Sequence, residues 1–200
     1  MQPDRGQADP RVMEAIDAYD RGQLIEHSML AVLRESRVLV PIVAVAADGE
    51  SEKQTDMAVP KLVGRDGREA MMAYTSVDTM SRWDPAARPV PMPLRQACEA
   101  ALAENCALVL DVGGPVPIAL DGTRLAAIAS GEPIPPAHED PDVRQAVEAV
   151  APLVALTPAE SRDVVIEIRA SSPEEASRAA DTISAALRGR LRTMEIRARC

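Results

Sequence analysis

Two hundred residues, 46% of them hydrophobic, with a net charge of −9, provide for one large domain, or one domain with a small appendage, around an aliphatic core. The acidic balance argues against nonspecific binding to nucleic acid or anionic lipid, which needs a basic footprint. With no Phe, two Tyr and one Trp, the chain also lacks a platform for stacking bases. No apolar run reaches transmembrane length and the polar start MQPDRGQADP is not a secretory signal, so the expected location is the cytoplasm.

In chain order, Asp9 before Pro10 predicts a helix start, with Val12, Ile16 and Tyr19 on one face and Gly22 as a stop. A second amphipathic helix carries Leu24, Ile25, Met29, Leu30 and Leu33. Val38–Ala46 reads as a buried strand, with Pro41 demanding an edge position or a bulge. Residues 47–56 form a charged loop. Met57–Val63 and Arg68–Tyr74 read as a hairpin turned at Gly64-Arg65-Asp66-Gly67.

Thr75 or Ser76 caps a short helix with Val77, Met80 and Trp83 on one stripe, ended by Asp84-Pro85. Residues 84–93, with four prolines, read as a stiff extended connector. A helix spans about Leu94–Asn105. Strands follow at Ala107–Val112 and Val116–Leu120, then a short helix capped by Thr123 and stopped by Gly131. The stretch EPIPPAHEDP, residues 132–141, marks a linker. Beyond it Asp142 caps a helix, Arg162–Ala170 alternates as a strand, Ser172-Pro173-Glu174-Glu175 starts a helix to about Arg188, and Met194, Ile196 and Ala198 alternate on a last strand. This β-α-β order predicts a parallel pair with a right-handed crossover.

The expected fold is α+β. A mixed sheet of about five strands is flanked by helices, with a small C-terminal β-α-β unit. Residues 1–35 supply N-terminal helices, 36–131 the main domain, 132–141 the proline-rich linker and 142–200 the C-terminal unit.

The residues offer no coherent catalytic set. His27 and His138 are the two histidines, and no Ser elbow accompanies them. Cys98 and Cys106 lie on apolar stripes and read as small buried hydrophobes, and Cys200 ends the chain. Three cysteines without a CxxC pair make neither a disulfide framework nor a zinc site. Gly113-Gly114-Pro115 leads into a strand rather than a helix, so it is not a phosphate loop. No metal or cofactor is expected. Only Lys53 and Lys61 among the 22 basic residues are lysine, which points to a GC-rich coding sequence rather than to function. Residues 185–200 carry five Arg and one Glu, a basic tail suited to an acidic partner or to acids of its own chain.

Residues 56–93, DMAVPKLVGRDGREAMMAYTSVDTMSRWDPAARPVPMP, resemble the N-terminal domain of the SseB family. The preceding VLVPIVAV, the Asp66-Gly67 hairpin, the Tyr74-Thr75-Ser76 step, Trp83 and Arg88-Pro89 carry the likeness, and LVLDVGGPVPIAL at 108–120 extends it. The family more often has Phe at the position of Tyr74. The resemblance implies an α/β-type domain of unsettled biochemical function. Its name reflects a serine-sensitivity phenotype, and a sulfurtransferase link has been suggested. A rhodanese-type persulfide loop would need a Cys ringed by backbone and basic donors, and neither Cys98 nor Cys106 has that context.

The expected function is therefore a non-enzymatic binding or regulatory module. Its candidate interaction surface is Tyr74, Thr75, Ser76, Trp83 and Arg88, since Trp, Tyr and Arg supply rigid contact area and bidentate bonding. The competing reading makes Trp83 a plug of the core. The alternatives are an enzyme of small-molecule or sulfur metabolism using Cys98 or Cys106, and a structural subunit that dimerises through its last strand, an exposed edge. The partner would be another protein or a second copy, not nucleic acid or membrane.

Overall fold

The computed structural model describes residues 6–46, 55–64 and 67–199. Helix α1 (Pro10–Asp20) opens as its sequence requires: Asp9 accepts from the Arg11 N–H, and Pro10 stands where no intrahelical donor is needed. Helix α2 (Glu26–Leu33) follows. Their apolar faces bury Val12, Ile16, Tyr19, Met29, Leu30 and Leu33 in the main core.

Strand β1 (Arg37–Ala46) pairs antiparallel with β5 (Arg88–Pro93) and with β2 (Thr55–Ala58), in the order β2-β1-β5. Residues 88–93 are thus a strand and not merely an extended connector. Prolines 89, 91 and 93 alternate with Arg88, Val90 and Met92, which sit opposite Ile42, Val40 and Val38. Inward donors therefore come from the non-proline positions, and the three prolines line the outer edge, where no donor is missed. Pro41 faces Pro89. On the other side of β1, Leu39 exchanges two backbone bonds with Tyr74, each 2.8 Å, and the ladder with β2 begins at Val43. Pro41 falls in the gap between them, which is how a mid-strand proline is tolerated.

The expected strand at 57–63 is divided. Its first part belongs to β2, and after Pro60 the chain crosses to β3 (Lys61–Val63), which forms the expected hairpin with β4 (Glu69–Ala73). The middle of its turn, Arg65-Asp66, lies outside the described residues, as do most of the 47–56 loop and Cys200. Strand β4 pairs parallel with β6 (Ala107–Leu110), and β6 pairs antiparallel with β7 (Ile118–Leu120), giving the order β3-β4-β6-β7. The Leu39–Tyr74 bridge joins the two sheets, so the main domain carries seven described strands rather than about five.

Strand alternation sorts the side chains of β4 between two cores. Met71 and Ala73 face the main core with Leu94, Ala97, Cys98 and Ala101 of α4 (Leu94–Ala103) and Leu125 and Ile128 of α5 (Gly122–Ser130). Met72 and Tyr74 face a smaller cluster with Leu39 and with Met80 of α3 (Val77–Trp83). Two caps differ from expectation. Asp121, not Thr123, precedes α5, because the Thr123 N–H is taken by the Asp142 carboxylate at 2.7 Å. Asp140, not Asp142, caps α6 (Pro141–Glu148).

The proline-rich stretch 132–141 is packed rather than free: Ile134 joins the main core and Ala137 the C-terminal one. The C-terminal unit holds α6, β8 (Leu153–Thr157), β9 (Val164–Arg169), α7 (Pro173–Leu187) and β10 (Met194–Arg199). Strand β8 was not expected; it pairs antiparallel with β9, while β10 and β9 form the anticipated parallel pair. Val164, Ile166 and Ile168 meet Ile183 and Leu187 in its core. The class is α+β, as expected.

Gly122 occupies the left-handed region, with φ of +50°, and a Cβ there would collide with the Asp142 carboxylate. Gly122→Ala should cost about 2–3 kcal/mol in urea unfolding, from backbone strain plus the lost seat of that carboxylate. Gly131, at φ +77° and with nothing nearer than the Arg95 guanidinium at 3.4 Å, should cost only about 1 kcal/mol on the same change. Equal costs would show that the collision is relieved by a shift of α6.

Candidate functional site

Tyr74 directly follows β4 and has no exposed surface. Its ring lies under that of Trp83, centroids 6.0 Å apart and planes inclined by 29°, an offset stack of about 1 kcal/mol beyond its buried area. Trp83 is at the last position of α3 and is half-buried. It is packed against Leu39, Met72, Tyr74, Met80 and Ala87, so it both plugs this smaller core and presents part of its ring to solvent.

Thr75 is buried as well. Its N–H and hydroxyl both bind the Asp111 carboxylate, each at 2.8 Å. Asp111 follows β6 with φ of +54°, and its own N–H reaches the Ala73 carbonyl at 2.9 Å. Burial pushes the Asp111 carboxyl above its usual range, against the pull of the two Thr75 bonds. The Thr-Ser step is thereby docked on the Asp-Val-Gly-Gly segment. Ser76, half-buried, caps α3 by accepting from the Thr79 N–H at 3.1 Å.

Arg88 is exposed, but it does not join this group. Leu39 and Val43 share the Trp83 cluster, whereas Val38 and Val40 face the main core. Arg88 pairs with Ile42, so alternation puts it on the side of Val38 and Val40. Of the five candidate contact residues, the structure gathers Tyr74, Thr75, Ser76 and Trp83, buries the first two, and separates Arg88 from them.

Both internal thiols are buried. Burial, with Glu99 beside it, pushes Cys98 up to about 12, and the Cys106 thiol donates to the Ala101 carbonyl at 3.5 Å. His27 and His138 line one small cavity of about 60 Å³ with Asp163. Among the described residues no group of three or more His, Cys, Asp or Glu is placed to hold a metal. No helix of the described residues is long and apolar enough to cross a membrane.

The densest polar chemistry lies elsewhere, where α2, α5 and the C-terminal unit meet. Arg124 is 2% exposed and pairs with Glu26 and, at 2.9 Å, with Asp121. Arg190 reaches Asp121 at 2.6 Å, Asp142 at 3.2 Å and Asp140 at 3.5 Å, and its carbonyl accepts from the Tyr19 hydroxyl. Arg192 pairs with Asp20 at 3.2 Å and lies over the Tyr19 ring. The Asp163 carboxylate clamps both sides: it accepts from the Glu26 N–H at 2.6 Å and from the Arg192 and Thr193 N–H groups at 3.1 and 2.9 Å. Four arginines of the basic tail thus bind acids of their own chain: Arg190 and Arg192 here, and Arg197 with Glu195 and Arg199 with Glu167 on the last strand. Sequence reading missed the rest of the cluster, since Arg124 and Glu26 are 98 positions apart and no spacing links them.

Burial pushes Glu26 up to about 7, outweighing the attraction of Arg124, while Arg190 and Arg124 hold Asp121 down at about 2 against its burial. A cavity of about 190 Å³ lined by Tyr19, Glu26, Arg124, Arg188 and Arg190 reaches the cluster and gives protons a route. The folded chain keeps a proton on Glu26 that the unfolded chain releases near 4.5. The associated stability is full below pH 4.5 and is lost as pH rises through 7, about 3 kcal/mol in all. Asp121 acts oppositely, losing its contribution only as pH falls from 3.8 toward 2. In urea titrations between pH 4.5 and 7.5, Glu26→Gln should remove this decline; equal slopes in variant and wild type would show that Glu26 is ionised throughout.

Among known proteins, the family model for the SseB protein N-terminal domain matches residues 11–127. Neither the curated proteins nor the solved structures contain a match. The match spans the helices α1 and α2, the bridged sheets and the first two-thirds of α5, and so includes both the docked Tyr74-Thr75-Ser76 step and the Asp111 segment that holds it. The chain belongs to the SseB family.

Proposed function

We infer that this SseB-family chain is a non-enzymatic binding module of the cytoplasm whose contact face is centred on Trp83. One observation carries the reading: in a chain with three aromatic residues, the single Trp keeps part of its ring exposed on a buried Tyr that fixes it. A ring held by stacking loses little further freedom on binding, and a Trp anchor of this kind supplies much of an interface's energy. Tyr74, Thr75 and Asp111 act from beneath, as the foundation of the ledge, and Ser76 positions the helix that bears it. The partner is a protein, since the net charge of −9 disfavours polyanions.

The reading is tested by co-purification from the native cell with wild type and Trp83→Leu, which keeps an apolar contact on Tyr74. The variant should lose a protein that the wild type retains, with Tm lowered by only a few degrees. As the sole Trp, residue 83 should also change its emission when the retained protein is added back. An unchanged retained set together with a lowered Tm would make Trp83 a core residue and no more.

The thiol-enzyme reading has its own test. Cys98, held protonated by burial, and Cys106 should resist alkylation at neutral pH until denaturant is added. Rapid stoichiometric labelling of either would favour catalysis over binding.

A further inference from the structure

The sheet edges among the described residues are blunted in different ways, with one exception. Prolines line the outer edge of β5. Strands β3 and β7 have three residues each and β2 has four. Strand β8 breaks its register between Leu153 and Ala155. Such devices keep sheets from adding strands. Strand β10 has none of these three, only the charged row Glu195, Arg197 and Arg199: Met194–Arg199 is six residues long, without proline, and follows β9 in unbroken parallel register from Met194↔Val164 to Arg199↔Arg169.

Its free edge can be assigned group by group. The carbonyls of Thr193 and Arg199 accept from Asp163 and Ala170, at 2.8 and 3.1 Å, on the β9 side. Along a strand these groups alternate in direction, so the N–H and C=O groups of Met194, Ile196 and Ala198 point outward. Side chains alternate too. Met194 and Ile196 pack on the C-terminal core, while Glu195, Arg197 and Arg199 occupy the opposite face, with Arg197 and Arg199 exposed.

We propose that two copies of this chain pair through β10, antiparallel, about a twofold axis at Ile196. This register sets Ile196 against Ile196 and Met194 against Ala198 as the hydrogen-bonded pairs, using every outward group of the three residues. It also sets Glu195 of each copy against Arg197 of the other, in the closer, non-hydrogen-bonded positions. Charge decides between registers. Centring the axis on Arg197 opposes two arginines, and centring it on Glu195 opposes two glutamates; a shift of one residue turns the charged row onto the apolar side. Glu195 already lies 2.7 Å from Arg197 and 3.6 Å from Arg162 of its own chain, so pairing closes a ring of alternating charge. A single strand contact is small against the roughly 1,200 Å² of a stable interface, so the dimer is weak and concentration-dependent. This surface is separate from the Trp83 ledge.

Sedimentation of the full chain in reducing agent and low salt, over rising concentration, should show a monomer–dimer equilibrium. Arg197→Glu should shift it toward monomer at least tenfold, by opposing Glu195 with glutamate. The exchange Glu195→Arg with Arg197→Glu should restore it. Ile196→Pro, which removes an outward donor and also a side chain packed on the C-terminal core, should also give monomer; circular dichroism checks that all three variants stay folded. A wild type monomeric at every concentration overturns the proposal and leaves the edge to a strand of another protein. A dimer indifferent to Arg197→Glu overturns the register and the interface with it.

Discussion

A guanidinium that cannot lose its charge, buried at Arg124, is the constraint on which the arrangement of the molecule depends. Its donors need acceptors wherever the chain places them, and they are drawn from α2 through Glu26 and from the start of α5 through Asp121. Asp121 in turn holds Arg190 from the turn that follows α7. The main and C-terminal cores are separate clusters, so their mutual orientation rests on these ions and on the Asp163 clamp rather than on shared apolar packing. Breaking one partner of such a group leaves an unpaired buried charge, a loss of about 3–5 kcal/mol. Hydrophobic replacement of the whole set could be neutral, so the cluster specifies an orientation more than it adds stability.

The Tyr74-Thr75-Ser76 step and the Leu-Asp-Val-Gly-Gly segment look like unrelated signatures in sequence, 36 positions apart. In three dimensions they are two halves of one device. Parallel pairing of β4 with β6 brings both C-terminal ends to the same rim, and Asp111, bent into the left-handed region, turns its carboxylate back onto Thr75. The ledge that carries Trp83 is therefore set by the sheet and not by α3 alone.

Local features were readable from the residues because their causes are local. Asp9-Pro10, Ser76 and Ser172-Pro173 cap helices within three residues of themselves, and Val164, Ile166 and Ile168 announce a buried strand face by alternation. What escaped depends on partners distant in the chain. Thr123 has the composition of a cap, yet its N–H is claimed by Asp142. Strand β8 has a short, irregular pattern that only pairing with β9 makes a strand. Tyr74 and Arg88 have the chemistry of contact residues, but burial of one and strand parity of the other are properties of the assembled sheet. Residues 84–93 read as a stiff connector rather than a strand because the alternation of Pro89, Pro91 and Pro93 matters only beside β1.

That alternation reaches beyond tolerance of proline. Most strands find their register through side chains that must lie on one face, a criterion satisfied equally by a slip of two residues. In β5 the missing donors add a second criterion. A slip of one residue against β1 would turn Pro89, Pro91 and Pro93 inward and erase the ladder. A slip of two in either direction would carry Pro89 out of its place opposite Pro41, and a slip toward Arg37 would also carry one of the three inward donors past the start of β1. The proline edge also offers no template to a foreign strand. The same three residues thus act during folding as a ruler for the first sheet and, once it has formed, as its selvage.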